Sequence, residues 1–347
     1  MSKSFVNKVL VGGALAAGAA VWAIAPRTFS DKRRNYVPAV PDVWYAHRGL
    51  HDAGSGLTAQ YASESGEYVA LARRMAMKAG YGSPSVVGAI APENSLAAFA
   101  AACEAGYGIE LDLQMTADGE IVVVHDGDLM RVAGDPRRVA DLTYDELTRI
   151  PLFPTDAPGA AVAAPLSGSL EKPPLVTTPD SAPDGYFQHV PLFADVLKVV
   201  AGRVPLIVEY KFDDNSKWGP RDVELMEKGD ALLQAYSGAY VIESFNPAAV
   251  NWYKENRPEV CRGQLSWWPQ GEEKPSDPGA LAKEYAAGAL IFDWISRPDF
   301  VAYDWHGGNS PQVRLARFMG AVPVSWTVRS RDEYAQCCDQ FDRHIFE

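Results

Sequence analysis

The chain has few cysteines, and their spacing excludes two classes of small scaffold. Its 347 residues include only Cys103, Cys261 and the adjacent pair Cys337 and Cys338. They form no obvious disulfide framework of the kind that stabilises small secreted domains, and no CxxC zinc spacing occurs. A glycine-rich phosphate loop is also absent after the first apolar run, which argues against the second-ranked architecture, an open doubly wound sheet.

The chain beyond residue 34 is poor in positive charge. The net charge of the whole chain is −12, and after residue 34 only 26 basic residues accompany 43 acidic ones. Nucleic-acid binding needs clustered lysine and arginine against the phosphates, so this composition argues against a nucleic-acid partner. The length suits one α/β domain of about 250 residues with additions, or two smaller domains.

One long uncharged run lies near the N-terminus. It covers Val9–Ala25 and has basic residues on both sides. The run predicts a membrane anchor, a transmembrane helix within residues 1–27, followed by a linker over 28–42. A cleaved signal peptide is the alternative, although Pro26 would directly follow the cut. Because more positive charge follows the run than precedes it, we expect the remainder of the chain to be cytoplasmic.

From residue 43 to residue 347, short apolar runs alternate with helical patterns. This alternation predicts a parallel sheet, and about eight such units predict an α/β fold of the (β/α)8 TIM-barrel type. The expected strands are Val43–Ala46, Ile109–Leu113, Ile121–His125, Leu206–Tyr210, Ala239–Glu243, Arg262–Ser266, Ala289–Phe292, Pro323–Thr327 and His344–Phe346. The expected helices are Ser95–Ala105, Phe193–Val200, Asp222–Tyr236, Pro247–Glu255, Pro278–Ala286, Pro311–Met319 and Arg331–Asp339.

Two insertions interrupt this alternation, over residues 50–90 and 151–190. Within the first, Ser63–Ala79 has the apolar spacing of an amphipathic helix, with the basic residues Arg73 and Lys78 on its polar face. Such a helix either packs on the rim of the barrel or forms a lid at its catalytic end. The second insertion is rich in proline and alanine without periodicity, which is typical of a long irregular loop.

Two expected strands carry charged residues two positions apart. Side chains at i and i+2 of a strand share a face, so Glu110 and Asp112 point the same way. Glu209 and Lys211 repeat this spacing on a later strand. Two adjacent carboxylates repel each other unless a cation lies between them, and Mg²⁺ or Ca²⁺ prefers oxygen ligands. A divalent metal site is one interpretation; solvated carboxylates or structural salt bridges are the other.

The same end of the expected barrel also carries histidine and arginine. Functional residues of TIM barrels lie at the C-terminal ends of the strands, where His47, Arg48 and the carboxylates fall. A metal together with arginine and lysine would neutralise an anionic substrate electrostatically. Two histidines, His47 and His125, are able to exchange protons near neutral pH.

With these residues in place, the sequence closely resembles the glycerophosphodiester phosphodiesterase family, within the superfamily of phosphatidylinositol phospholipase C-like phosphodiesterases. The matching segments, in family order, are His47–Gly49, Ala91–Phe99, Gly108–Leu113, Asp118–Gly119 and Val123–Asp126, with weaker matches at Val208–Lys211, Glu243–Pro247 and Ser325–Val328. The resemblance extends from the first expected strand to the end of the chain, and the combination is highly specific.

The resemblance implies a role for each matching position. It implies that Glu110, Asp112 and Glu209 ligate one divalent cation, Ca²⁺ or Mg²⁺, and that His47 and His125 are the acid–base pair. It also implies that Arg48 and Lys211 hold phosphate oxygens. Glu93 would orient the arginine and histidine, and Trp326 would line the glycerol pocket. For Trp326 a buried core aromatic is the alternative. The implied reaction is hydrolysis of a glycerophosphodiester to sn-glycerol 3-phosphate and an alcohol. The nucleophile is either water or the adjacent glycerol hydroxyl.

Two other functions compete with this expectation. A lysophospholipase D or sphingomyelinase D-like enzyme would draw lipid from the bilayer, which the expected anchor and the basic residues Arg73, Arg74 and Lys78 suggest. A non-catalytic barrel would only bind a ligand or partner. The presence of every histidine and metal carboxylate of the family pattern argues against the non-catalytic barrel.

Overall fold

The computed structural model of the protein describes residues 18–30, 37–57, 66–84, 88–154, 188–213, 215, 217–269 and 276–347. Within these residues, no helix has both the length and the apolar character needed to cross a membrane. The transmembrane helix predicted within residues 1–27 is therefore not supported. Much of its apolar run, up to residue 17, lies outside the described residues.

The described residues form strands and helices in regular succession. The strands are β1 (Trp44–Ala46), β2 (Gly108–Met115), β3 (Ile121–Val123), β4 (Asp128–Leu129), β5 (Asp135–Arg138), β6 (Leu206–Tyr210), β7 (Tyr240–Ser244), β8 (Arg262–Ser266), β9 (Phe300–Asp304), β10 (Val322–Val328) and β11 (Arg343–Phe346). The helices are α1 (Arg27–Ser30), α2 (Gly66–Lys78), α3 (Leu96–Ala105), α4 (Met130–Ala133), α5 (Tyr144–Leu147), α6 (Phe193–Val200), α7 (Pro220–Gln234), α8 (Pro247–Asn256), α9 (Pro278–Gly288), α10 (Asp293–Ser296), α11 (Pro311–Phe318) and α12 (Arg331–Cys337).

The chain divides into two compact units. The larger unit consists of Pro41–Ile242, Thr327–Ala335 and His344–Glu347. The smaller unit consists of Glu243–Trp326 and Gln336–Arg343, with the described part of residues 1–40.

In the larger unit, β2 lies between two parallel neighbours. It pairs with β1 on one side and β6 on the other, and β1 also pairs in parallel with β11. Every residue of β2 is buried, as is usual for a parallel strand that is covered on both faces. The carboxylates of Glu110 and Asp112 are therefore held inside the unit and not on a solvated strand face. The interpretation as solvated carboxylates is wrong for this pair.

The helix predicted within the first insertion exists as α2. Its buried residues Tyr68, Ala72 and Ala76 share one face, and the helix packs against α3. Two basic residues of this helix form ion pairs within the unit. Arg73 Nη1 lies 2.6 Å from Asp52 Oδ2, and Lys78 Nζ lies 3.1 Å from Glu104 Oε2. These contacts are those of a helix packed on the body of the unit.

The segment that follows β3 builds a hydrophobic cluster of its own. A short antiparallel hairpin, β4 and β5, belongs to it together with α4 and α5. Its buried members are Val122, Val124, Leu129, Val132, Val139, Leu142, Tyr144, Leu147, Ile150, Leu152, Phe153 and Val190. Of the second insertion, residues 155–187 lie outside the described residues, so the predicted irregular loop is not tested there.

In the smaller unit, β8, β9 and β10 pair in parallel. The strand predicted at Ala289–Phe292 is wrong: α9 ends at Gly288, Leu290 has a φ of 59°, and the strand of this region is Phe300–Asp304. A run of four apolar residues does not distinguish a strand from a buried helix end. The predictions for Phe193–Val200, Leu206–Tyr210 and Arg262–Ser266 are confirmed at both ends.

Candidate active site

The site begins at a strained turn directly after β1. Arg48 and Gly49 have φ values of 57° and 82°, and a Cβ at residue 49 would lie 2.9 Å from Ala98 Cβ. A left-handed arginine costs energy and persists only where its surroundings hold it. Here the Arg48 amide donates to Glu110 Oε2 at 3.0 Å, and the Arg48 carbonyl accepts from the Asn94 amide at 2.8 Å. The turn is thereby fixed against β2 and against the loop before α3.

Three carboxylates lie on the neighbouring strands β2 and β6. Asp112 and Glu209 are register partners, and Glu110 lies two residues before Asp112 on the same face of β2. One carboxylate oxygen of Glu110 lies within 4.8 Å of one of Glu209. All three side chains are buried. The structure therefore brings the carboxylates of Glu110 and Glu209 together, while Asp112 lies beside Glu209 in the register of the two strands.

Lys211 joins two of the carboxylates. Its Nζ lies 3.2 Å from Asp112 Oδ1 and 2.8 Å from Glu209 Oε2. Burial raises the pKa of Asp112, but Lys211 and the neighbouring His125 and Arg48 outweigh it and lower the pKa below its usual range. Burial raises the pKa of Glu209 to about 7, and Lys211 opposes that rise. Asp112 therefore keeps its negative charge to a lower pH than Glu209 does.

The donor set fits a hard divalent cation. Glu110, Asp112 and Glu209 offer only oxygen ligands, the type that Ca²⁺ and Mg²⁺ prefer. Glu209 Oε1 is buried and has no hydrogen-bond partner among the residues that the structure describes. A buried carboxylate oxygen without a partner is costly, and a bound cation would satisfy it.

His47 is held by a residue from the far end of the chain. Its Nδ1 lies 3.0 Å from Glu347 Oε2, while its Nε2 lies 4.0 Å from Glu110 Oε2. Burial and the charge of Arg48 lower the pKa of His47 to about 4, against the opposing effect of Glu347. Burial raises the pKa of Glu347, but hydrogen bonds with His47 and His51 outweigh it and lower the pKa well below its usual range. The imidazole is thus neutral at pH 7 beside a charged carboxylate.

His125 is held by the residue that follows it. Its Nδ1 lies 2.6 Å from Asp126 Oδ1. Gln114 Nε2 donates to the carbonyls of Val124, His125 and Asp126 at 3.0, 3.0 and 2.6 Å, which fixes this loop to β2. Burial, Arg48 and Lys211 lower the pKa of His125 well below its usual value. Each of the two rings therefore has a carboxylate oxygen within hydrogen-bond distance of its Nδ1.

Glu93 connects two arginines. Arg48 Nη1 lies 3.1 Å from both Glu93 carboxylate oxygens, and Arg131 donates to both oxygens at 2.7 Å. A second polar contact comes from the same loop, because Asn94 Nδ2 donates to Asp112 Oδ2 at 2.8 Å. The Pro-Glu-Asn segment therefore contacts both the arginine of the first turn and a β2 carboxylate.

Trp326 lies on β10 in the smaller unit. Its indole is partly buried and packs edge to face against Phe245, with 5.7 Å between the ring centroids. Its Nε1 has no hydrogen-bond partner within the described ranges. The predicted role in a glycerol pocket stays a prediction.

Sequence reasoning missed four residues of this site. Asn94 and Asp126 directly follow the motif residues Glu93 and His125, so their neighbourhood was a usable signal. The sequence holds no comparable signal for Arg131 or Glu347. Glu347, for example, lies 300 positions from the His47 that it contacts.

The chain is similar to known proteins in both its sequence and its fold. Residues 87–341 match the model of the glycerophosphoryl diester phosphodiesterase family. Among solved structures, a phosphodiesterase from Oleispira antarctica, in complex with the product sn-glycerol-3-phosphate, is similar over 88 % of this chain and 93 % of its own, with a TM-score of 0.55 and 15 % identity. The chain has the fold of these proteins, a TIM-barrel-like α/β fold of parallel strands and helices. It belongs to the glycerophosphoryl diester phosphodiesterase family.

Two curated relatives match this chain closely over a short segment. A glycerophosphodiester phosphodiesterase of Caldanaerobacter subterraneus is 45 % identical over 60 residues, which is 17 % of this chain and 25 % of that protein. One from Bacillus altitudinis is 48 % identical over 59 residues, or 17 % and 24 % of the two chains. The matched segment thus spans about a quarter of each of these relatives.

Proposed function

We propose that the protein is a metal-dependent glycerophosphodiester phosphodiesterase that produces sn-glycerol 3-phosphate and an alcohol. The observation that carries the proposal is the gathering of two carboxylate-held histidines, His47 and His125, around the charged groups of β2 and β6 in one compact unit. Family membership and the product bound to the Oleispira antarctica phosphodiesterase support the substrate class.

Arg48 and Lys211 are the groups that would neutralise the phosphodiester. Both lie near the carboxylates, Arg48 Nε at 3.9 Å from Asp112 Oδ2 and Lys211 Nζ at 3.2 Å from Asp112 Oδ1. Arginine binds two phosphate oxygens at once and so fixes orientation, while lysine acts as a point charge. Their charges would stabilise the negative charge that develops at phosphorus.

Glu110, Asp112 and Glu209 would hold the divalent cation. When bound, such an ion polarises a phosphoryl oxygen and adds positive charge beside phosphorus. A bound cation would oppose the rise that burial causes in the pKa of Glu209 and so favour its charged form.

The histidines would transfer protons in complementary directions. His47, with a pKa of about 4, is neutral at pH 7 and therefore suited to accept a proton from the nucleophile. The positive charges of Arg48 and Lys211 contribute to the lowered pKa of His125. A bound phosphodiester anion would oppose those charges and favour the protonated form of His125, which would then protonate the leaving alkoxide.

A substrate panel tests the proposal. The purified full chain is incubated with glycerophosphocholine, glycerophosphoethanolamine and glycerophosphoglycerol, in Ca²⁺ or Mg²⁺, and sn-glycerol 3-phosphate is measured. We expect release from at least one diester, with a clear preference for one ion. No release from any diester in either ion would overturn the proposal.

The same panel includes lysophosphatidylcholine as the test of a lipid-directed enzyme. The helix suggested as a lipid lid, α2, packs on α3, and two of its three cations, Arg73 and Lys78, form ion pairs with Asp52 and Glu104. We therefore expect choline release from glycerophosphocholine and none from lysophosphatidylcholine. The reverse preference would establish the lipid-directed alternative.

The proposal for the cellular location of the protein rests on its sequence. The uncharged run Val9–Ala25 and its basic flanks favour an N-terminal membrane anchor with the catalytic units on the cytoplasmic side. Alkaline carbonate extraction of membranes tests it. Recovery of the full chain in the soluble fraction would contradict the anchor.

A further inference from the structure

The carboxylates that hold the two histidines are joined through Arg131. This arginine lies on the short helix α4, whose neighbours Leu129 and Val132 are buried in the hydrophobic cluster after β3. Its Nε donates to Asp126 Oδ2 at 2.6 Å, and its Nη1 and Nη2 donate to the two Glu93 oxygens at 2.7 Å. One guanidinium therefore fixes the partner of His125 and the partner of Arg48 together.

Ser55 completes the connection from the first insertion. Its backbone carbonyl accepts a hydrogen bond from Arg131 Nη1, and its hydroxyl donates to Glu347 Oε1. The Arg131 carbonyl in turn accepts from the Leu57 amide at 2.9 Å, so the short segment Ser55–Leu57 is held at two points. Glu347 is the carboxylate that contacts His47. A continuous path of contacts thus runs from His47 through Glu347, Ser55, Arg131 and Asp126 to His125.

The chemistry of the path explains why arginine and serine stand there. The planar guanidinium donates in several fixed directions at once, which lysine is unable to do. The serine supplies a donor and an acceptor on opposite sides, one from its hydroxyl and one from its backbone. Networks of this kind hold catalytic rings in one orientation, and small misplacement of a reacting group costs about 10²-fold in rate.

We propose that Arg131 and Ser55 are positioning residues that couple the two histidines, so that both rings are oriented by one shared network. The proposal rests on the proposed phosphodiesterase function for its kinetic test. The coupling itself concerns ring orientation and is measurable without turnover.

The kinetic test compares Arg131→Ala, Arg131→Lys, Ser55→Ala and the double variant Ser55→Ala/Arg131→Ala on the diester that the wild type prefers. We expect kcat to fall about 10²-fold for Arg131→Ala and about tenfold for Arg131→Lys and Ser55→Ala, with KM changed by less than about threefold. Millimolar guanidinium added to Arg131→Ala should restore at least about a tenth of the lost kcat, since it replaces the missing donor group. The double variant should be no slower than Arg131→Ala alone.

Each contrary kinetic result has a defined meaning. If the double variant loses the product of the two single losses, the residues act independently and the coupling is wrong. If KM rises while kcat holds, Arg131 contacts substrate and is not a positioning residue. The controls are Arg149→Ala and Thr148→Val in the same unit. Arg149 is exposed and pairs with Asp145, and the half-buried Thr148 donates to the Asp145 carbonyl, so both variants should keep the wild-type rate.

A spectroscopic test separates this proposal from the proposed function. In ¹⁵N-histidine spectra, Ser55→Ala should shift the ring signals of both His47 and His125, although the hydroxyl lies on the His47 side of the path. Thr148→Val should shift neither. A Ser55→Ala spectrum in which only His47 moves would overturn the coupling. A wild type that is inactive on every diester, yet shows the paired shifts, would refute the phosphodiesterase assignment and leave the coupling standing.

Discussion

The two histidines of the site have similar contacts but different supports. His125 takes its carboxylate from the next residue, Asp126, whose side chain is 28 % exposed. His47 takes its carboxylate from Glu347, which is fully buried and also contacts Arg329 Nη2 at 2.8 Å. A local partner is fixed by the chain itself, whereas a distant partner depends on the folded unit. We therefore expect that loss of the carboxylate partner of His47 lowers both activity and stability. Loss of the carboxylate partner of His125 should affect stability less.

Removal of either ring is the largest expected effect. His47→Ala and His125→Ala should each lower kcat/KM by at least about 10²-fold, because each removes one proton-transfer group. The measurement is steady-state release of sn-glycerol 3-phosphate, with the thermal midpoint as a folding check. Rates within about threefold of wild type for both variants would show that these two rings do not carry the proton transfers.

Neutralising the two carboxylates sharpens the comparison. Glu347→Gln removes a buried charge that His47, Arg329 and Ser55 all contact, so it should lower the free energy of unfolding by about 3 kcal/mol as well as kcat. Asp126→Asn, at a partly exposed site, should lower kcat about tenfold and the unfolding free energy by only about 1 kcal/mol. Urea denaturation of both variants checks this. Equal losses of stability would remove the distinction between local and distant support.

The low pKa of His47 predicts an acid-sensitive fold. The unfolded imidazole binds a proton near pH 6.5 and the folded one near pH 4, so the unfolded state binds more protons between these values. Stability from this group should fall by about 3 kcal/mol as the pH drops from about 6.5 to about 4. Denaturant titrations of wild type and His47→Gln across this range provide the measurement. If the free energy of unfolding changed with pH identically in both proteins, a group other than His47 would be responsible for the acid sensitivity.

A surface ion pair gives the smallest expected effect. Arg149 and Asp145 form an exposed i, i+4 pair at 2.6 Å. Arg149→Ala should change the unfolding free energy by less than about 0.5 kcal/mol and leave kcat unchanged. A larger loss would mean that exposed ion pairs contribute more to the stability of this protein than the comparison with the buried Glu347 contacts assumes.

The sequence predicted those parts of the site that depend on local spacing. The alternation of strands and helices indicated the parallel architecture, and the i, i+2 spacing placed Glu110 and Asp112 on one face of β2. The strand Phe300–Asp304 was missed because the apolar run at Ala289–Phe292 has the same composition as a strand. Chain order says nothing of which groups meet across 76 or 300 residues, as the Arg131 guanidinium and the Ser55 carbonyl or Glu347 and His47 do.

The central claim is that two histidines, each held by a carboxylate, transfer protons during hydrolysis of a phosphodiester. The diester would bind beside a cation held by Glu110, Asp112 and Glu209. The most direct test of this claim is release of sn-glycerol 3-phosphate by the full chain before and after chelation with EDTA, followed by stepwise addition of Ca²⁺ or Mg²⁺. The account predicts that chelation abolishes release, that one of the ions restores it, and that Glu209→Gln needs a higher ion concentration for the same rate. Release that continues unchanged in the chelator would contradict it.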